Sequence, residues 1–107
     1  MTQLGNLEEM ILLLVLKFNE GEAYAVSIAA EYEKEMHKSI SIPAVHTVLK
    51  RLETKKFIDS RLGEATQLRG GKKKRLYNVT QSGYEVLQEI QKSRSNLWAA
   101  VPKLKFD

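Results

Sequence analysis

The most distinctive chemistry in this sequence of 107 residues is a run of cations near its middle. Across residues 50–75, ten lysines and arginines stand against three acidic residues, a net charge of +7, whereas the rest of the chain carries −3. Cations on a loop that contains glycine suit the phosphates of a nucleic-acid backbone, so the sequence predicts a polyanionic partner. The candidate phosphate-contacting residues are Arg69, Gly70, Gly71, Lys72, Lys73, Lys74 and Arg75.

The segment before this run has the pattern of an amphipathic helix. Apolar residues between Val45 and Leu52 recur at helical spacing and form one stripe, which leaves the opposite face open to a ligand. Ser41 is a suitable N-cap, and Pro43 stands in the first turn, where its missing N–H costs no intrahelical bond. The candidate DNA-contacting residues of this helix are Ser41, Pro43, Ala44, His46, Thr47, Lys50 and Arg51.

Periodicity also predicts the elements that position these side chains. Two helices joined by a short turn describe a helix-turn-helix, and a hairpin after the second helix makes it a winged one. The predicted fold class is mainly α with a small β-hairpin: a winged helix-turn-helix over 4–80, with N- and C-terminal dimerisation helices, the latter within 81–107. The predicted elements are helices over 4–19, 24–37, 41–53 and 81–101, strands over 57–62 and 76–79, and a loop over 63–75.

Two of these helices carry more apolar surface than a domain of this size can cover. In the first helix, Leu12 and Leu16 point nearly opposite to the main apolar stripe. In the last helix, residues spaced 3, 4, 3 and 4 apart form a heptad seam with one polar member. A homodimer would cover both surfaces, although a first helix wholly surrounded by its own domain is the alternative. The predicted dimerisation residues are Leu12, Leu16, Leu87, Ile90, Arg94, Leu97 and Val101.

A set of short motifs is spread along the chain. They are Leu7-Glu8-Glu9, Tyr24, Leu49-Lys50-Arg51-Leu52-Glu53, Arg69-Gly70-Gly71, Tyr77, Thr80 and Gly83. On these motifs the chain resembles the PadR family of transcriptional regulators, in the short subgroup with a single C-terminal dimerisation helix. The resemblance covers about residues 4 to 90, and two positions depart from the family pattern. Ala25 stands where the family commonly has Gly, and His46 stands where it commonly has Tyr. The DNA contact of that Tyr is therefore not carried over to this chain.

The resemblance implies a dimeric, cytoplasmic repressor that binds a palindromic operator in double-stranded DNA. The helix from Ser41 would enter the major groove, and the hairpin wing would contact the adjacent backbone. Trp98 is either a residue of the dimer core or, where the C-terminal helices meet, the platform for a small aromatic effector. A winged helix used only for protein contacts is the alternative function.

Other classes of function lack their motifs. The sequence has no cysteine, no phosphate-binding glycine motif at a strand-to-helix junction and no nucleophile elbow, so we predict no cofactor and no enzyme activity. His37 and His46 are the only histidines and suggest no metal site. The apolar run from Met10 to Leu16 is too short to span a bilayer, which predicts a soluble protein with no membrane partner.

Overall fold

The structure is a computed structural model that describes residues 4–65 and 73–107. Three helices, an antiparallel hairpin and a fourth, longer helix follow one another along the chain, which confirms the predicted winged helix-turn-helix class. In the described ranges the elements are α1 (Asn6–Lys17), α2 (Ala25–Met36), α3 (Ile42–Thr54), β1 (Ile58–Ala65), β2 (Lys73–Val79) and α4 (Gln81–Ala100).

Helix α1 lies at the centre of the core. The Glu8 carboxylate accepts the N–H of Gly5 at 2.8 Å, which satisfies one of the donors that the start of a helix leaves unpaired. Ile11 and Leu12 are both 0% exposed, because α2, α3, β2 and α4 all pack against this helix. The prediction of Leu12 as a dimer contact is therefore wrong, since this side chain is buried in the core of its own chain.

Helices α2 and α3 form the helix-turn-helix. Helix α2 ends at His37, whose left-handed backbone (φ 58°) turns the chain towards α3. The Ser41 hydroxyl accepts the N–H of Ala44 at 3.2 Å, as predicted for the N-cap of α3. The apolar stripe from Val45 to Leu52 is buried against α1 and α2, so the polar face of α3 turns outward.

The hairpin is longer than predicted. Residue pairing runs from Ile58 opposite Val79 to Ala65 opposite Lys73, with an irregularity between Leu62 and Ala65. An extra residue at such a bulge lets the pairing continue beyond the point where side-chain alternation fails, which the sequence pattern did not anticipate. Three residues at each end of the predicted 63–75 loop therefore belong to strands.

Helix α4 divides into an attached half and a projecting half. At its start the Thr80 hydroxyl accepts the Gly83 N–H at 3.1 Å and donates to the Lys56 carbonyl at 2.7 Å. Leu87 packs into the core at 6% exposure, so this seam residue is already covered within its own chain. From residue 91 onward every side chain is exposed, and residues 91–107 are called the C-terminal arm below.

Candidate nucleic-acid interface

The outer face of α3 is a continuous polar surface. Pro43, His46, Thr47 and Lys50 are exposed there, and Ala44 is half-buried beside them. Nothing in the described part of the chain packs over this face, because the helix rests on its opposite stripe. Ser41 and Arg51 are exposed as well, so the residues predicted for α3 lie on one accessible side.

Thr47 and Lys50 differ in how freely they can bond. The Thr47 hydroxyl donates to the Pro43 carbonyl at 3.0 Å, one turn earlier in the helix. Its proton is therefore engaged, whereas its oxygen can still accept a bond and its methyl group can still contact a thymine. Lys50 carries three hydrogen-bond donors on a long side chain. It is therefore better suited than Thr47 to donate to the acceptor edge of guanine.

The base of the wing adds cations beside this face. Lys73 and Arg75 are exposed on β2, and the Lys74 Nζ lies 4.2 Å from the centroid of the Tyr24 ring, within the range of a cation–π contact. Tyr24 is the N-cap residue of α2, so this contact joins the wing to the helix-turn-helix. The other predicted wing residues, Arg69, Gly70, Gly71 and Lys72, lie outside the described residues.

Arg75 is oriented by a chain of hydrogen bonds that ends on α3. Its Nη1 donates to the Ser60 hydroxyl at 3.0 Å, and that hydroxyl donates to the Glu53 carboxylate at 2.7 Å. The chain connects the wing with the last turn of α3. Sequence reasoning missed Ser60, because only the strand register, with Ser60 opposite Tyr77, brings it beside Arg75.

Glu8 secures the end of α3 from the side of α1. Its Oε2 accepts a hydrogen bond from the Lys55 Nζ at 2.8 Å, across 47 positions of sequence. Burial alone would raise the pKa of Glu8, but the bonds from Lys55 and the Gly5 N–H, together with the charge of Arg51, outweigh it and lower the pKa below its ordinary value. No local pattern in the sequence reveals a partner this distant.

The predicted dimerisation residues do not share one environment. Leu12 and Leu87 are buried in the chain, and Ile90 is half-buried. Exposure is 39% for Leu16, 69% for Leu97 and 47% for Val101, while Trp98 is 75% exposed. These exposed apolar side chains lie on two neighbouring helices, α1 and α4. Together they expose more apolar area than single leucines scattered over a protein surface would.

A groove of about 410 Å³ runs between α1 and α4. Leu13, Leu16, Tyr84 and Trp98 supply its apolar lining, and the Glu9 carboxylate accepts a 2.7 Å bond from Arg94 at its edge. The side chain of Glu9 is 9% exposed and that of Arg94 is 58% exposed. The ion pair is therefore partly shielded from water, which makes it more persistent than a surface pair.

Two other kinds of site are absent from residues 4–65 and 73–107. No group of three or more histidine, aspartate or glutamate side chains there could hold a metal ion. In the same ranges, no helix has the length and apolar character needed to cross a membrane.

The fold and the exposed polar face of α3 define a winged helix-turn-helix protein. A family model described as the transcriptional regulator PadR-like family matches residues 12–89, so the chain belongs to the PadR-like family of transcriptional regulators. Membership confirms the prediction that the protein is a regulator and not an enzyme.

Solved structures of the same family share this architecture. A PadR-like regulator from Bacillus cereus is 26% identical with a TM-score of 0.69, over 87% of this chain and 84% of its own. A PadR-like transcription factor from Bacteroides fragilis is 28% identical with a TM-score of 0.71, over 85% and 82%. Bacillus subtilis PadR in complex with operator DNA is 22% identical with a TM-score of 0.63, over 94% and 54%. A search of curated proteins finds no significant match.

Proposed function

We propose that the protein is a repressor that binds a palindromic operator in double-stranded DNA as a homodimer. The observation that carries this proposal is the exposed face of α3, with Thr47 and Lys50 clear of the core, next to the cations of β2. In this arrangement α3 enters the major groove and the wing lies on the backbone. The related Bacillus subtilis PadR was solved with operator DNA, which supports the same use of the fold here.

The experiment distinguishes contacts that recognise the base sequence from contacts that depend only on charge. A duplex selected from a random library serves as the operator, and a scrambled duplex of equal composition serves as the reference. Replacing Lys73 and Lys74 with Ala should weaken binding to both duplexes and flatten the log–log salt slope by up to about 0.9 per lost phosphate contact. Replacing Lys50 with Ala should instead reduce the preference for the operator by about 1 to 3 kcal/mol. Lys103→Ala, on the C-terminal arm, is the matched control for charge.

Three outcomes would contradict the proposal. If no duplex is enriched over the scrambled reference, the protein does not read sequence. If an acidic polypeptide competes as well as DNA, the winged helix serves protein contacts instead. If the Lys50 and Lys73/Lys74 variants lose selectivity equally, the division of roles between α3 and the wing is wrong.

The dimer proposal rests on exposed apolar surface. Leu13, Leu16 and Leu97 are 43%, 39% and 69% exposed in the single chain, and a second copy would cover them along α1 and α4. Sedimentation equilibrium at micromolar concentration should give the mass of a dimer, and a monomer would contradict this packing. A chain ended after Ser93 should lose the dimer and aggregate or unfold.

The effector proposal uses the groove between α1 and α4. Its volume of about 410 Å³ falls within the range of small-molecule sites, and Trp98 offers a planar face for stacking an aromatic ligand. Such a ligand would release the operator by changing the separation of the two α3 helices, which must match one DNA turn of about 34 Å. Titration with planar aromatic compounds should quench the fluorescence of Trp98, the only tryptophan in the sequence. A releasing compound that binds Trp98→Ala with unchanged affinity would refute this site.

A further inference from the structure

Two adjacent carboxylates on α1 face two different helices. Glu8 accepts a hydrogen bond from Lys55, the C-cap residue of α3, at 2.8 Å. Glu9 accepts one from Arg94 on α4 at 2.7 Å. Successive residues of an α-helix diverge by about 100° around its axis, which is how neighbours can reach partners on different sides.

Both carboxylates are shielded from water, and the contact to Lys55 is better shielded than the contact to Arg94. The Glu8 and Glu9 side chains are 12% and 9% exposed, that of Lys55 is 29% exposed and that of Arg94 is 58% exposed. Partly buried pairs of this kind add little net stability, but breaking one leaves a charge without its partner. Their value lies in fixing the relative positions of the helices, because a displaced helix would have to break the pair.

Helix α4 is held at two separated points. Its first turn is attached to the residues that follow α3, where the Lys56 carbonyl accepts bonds from the hydroxyls of Thr80 and Ser82 at 2.7 and 3.0 Å. Arg94 lies fourteen residues beyond Thr80, a rise of about 21 Å along a helix. Between these points Leu87 packs into the core at 6% exposure, so the first part of α4 is fixed and the Glu9–Arg94 pair positions the part beyond it.

We propose that Glu8 and Glu9 link α4 to α3 through α1, so that the angle of the C-terminal helix is transmitted to the end of the recognition helix. The two carboxylates move together because they share one rigid helix. A change in α4 at Arg94 then displaces Glu9, and Glu8 passes the displacement to Lys55. These are positioning residues that act through their partners, and the proposal rests on the DNA-binding function proposed above.

The test is a double-substitution cycle measured on DNA. Arg94→Gln should lower affinity for the selected operator by about five-fold or more, the lower end of typical couplings, while affinity for the scrambled duplex is unchanged. Arg94→Lys, which keeps the cation, should retain most of the wild-type affinity. Lys92→Gln, an exposed cation on the same helix, is the control. In a Glu8→Gln background, Arg94→Gln should have little further effect.

A spectroscopic readout separates transmission from simple stability. Trp98 is the only tryptophan and follows Arg94 by one helical turn, so operator binding should alter its fluorescence. That change should disappear in Glu8→Gln, whose fold is checked by urea unfolding. Loss of the signal under conditions where urea unfolding shows that Glu8→Gln is still fully folded supports a positioning role.

Additive losses of operator affinity in the double variant would overturn the proposal, because α4 would then act on α3 only through its first turn. An operator-induced Trp98 signal that persists in Glu8→Gln would overturn it too. The proposed function is tested separately, since its failure appears as the absence of selective binding in the wild-type protein itself.

Discussion

Apolar residues differ in exposure between two regions of the protein. One region is the body, which here means residues 4–65 and 73–90, and the other is the C-terminal arm, residues 91–107. In the body, residues such as Ile11, Leu12 and Leu52 are 0% exposed and belong to one buried cluster. In the arm, Leu97, Trp98 and Phe106 are 69%, 75% and 86% exposed. The hydrophobic effect is the same in both regions, so the difference concerns which surface covers the side chain.

This difference separates two kinds of stability. Burial within the chain contributes to folding at every protein concentration. Burial against a second copy contributes only where that copy is bound, so it depends on concentration. Substitutions in the body and in the arm should therefore differ in kind as well as in size.

The largest expected effect comes from a leucine of the body. Leu12→Ala should lower the free energy of unfolding by about 3 to 5 kcal/mol, because the closely packed site cannot collapse around the cavity. The matched change in the arm, Leu97→Ala, should lower apparent stability only through weaker dimerisation. Urea unfolding at several protein concentrations measures both. A concentration-dependent loss confined to Leu12→Ala would reverse the roles assigned to the two regions.

The next largest effect is expected in the first turn of α4, the helix that carries the arm. A Cβ on Gly83 would stand 2.2 Å from the Phe57 carbonyl oxygen, a backbone atom that cannot move aside cheaply. Gly83→Ala should therefore cost about 3 kcal/mol or more by displacing the first turn of α4. Thermal unfolding measures the loss, and Glu85→Ala, at an exposed position of the same helix, is the control. A Gly83→Ala protein of wild-type stability would mean that α4 is not seated against this carbonyl.

A smaller effect distinguishes the N-cap of α3 from the N-cap of α4, the helix that carries the arm. Ser41 caps α3 through one hydrogen bond, whereas Thr80 caps α4 and also donates to the Lys56 carbonyl at 2.7 Å. Ser41→Ala should cost about 1 kcal/mol. Thr80→Ala should cost about 2 kcal/mol, because it loses the additional bond as well. Equal costs in urea unfolding would show that the bond to Lys56 adds nothing to the attachment of α4.

Most of the fold followed from local sequence patterns. The cap at Ser41, the apolar stripe of α3 and the exposed polar residues of that helix were all predicted, because caps and helical periodicity act within one or two turns. The strand ends were misplaced because the bulge between Leu62 and Ala65 interrupts the two-residue period.

What could not be predicted depends on contacts between distant segments. Leu12 was assigned to the dimer because periodicity shows that a face is apolar without showing what covers it. The bonds from Glu8 to Lys55 and from Glu9 to Arg94 span 47 and 85 positions, beyond any local signal. The pattern therefore predicted the elements, and tertiary packing decided which of their faces remain exposed.

The smallest expected effect is a dependence on pH that belongs to the body alone. Hydrogen bonds from Lys55 and the Gly5 N–H outweigh burial and lower the pKa of Glu8 in the folded state. A carboxylate whose pKa is lowered by folding stabilises the protein above its unfolded pKa, and this contribution is lost as the pH falls through the folded pKa. The stability difference between wild type and Glu8→Gln should therefore shrink on acidification below the ordinary value of 4.5.

Lys55 provides the control for this pH effect. Lys55→Met removes both the hydrogen bond and the charge by which Lys55 lowers the pKa of Glu8, so the dependence on pH should shrink in that background. Urea unfolding between pH 3 and pH 7 compares wild type, Glu8→Gln, Lys55→Met and the double variant. Subtracting the stability of the protein that carries Glu8→Gln from that of its parent removes the titration of every other acid. A wild-type difference that grows on acidification would show that burial dominates at Glu8, and the link from α1 to the end of α3 would then be weaker than its 2.8 Å bond suggests.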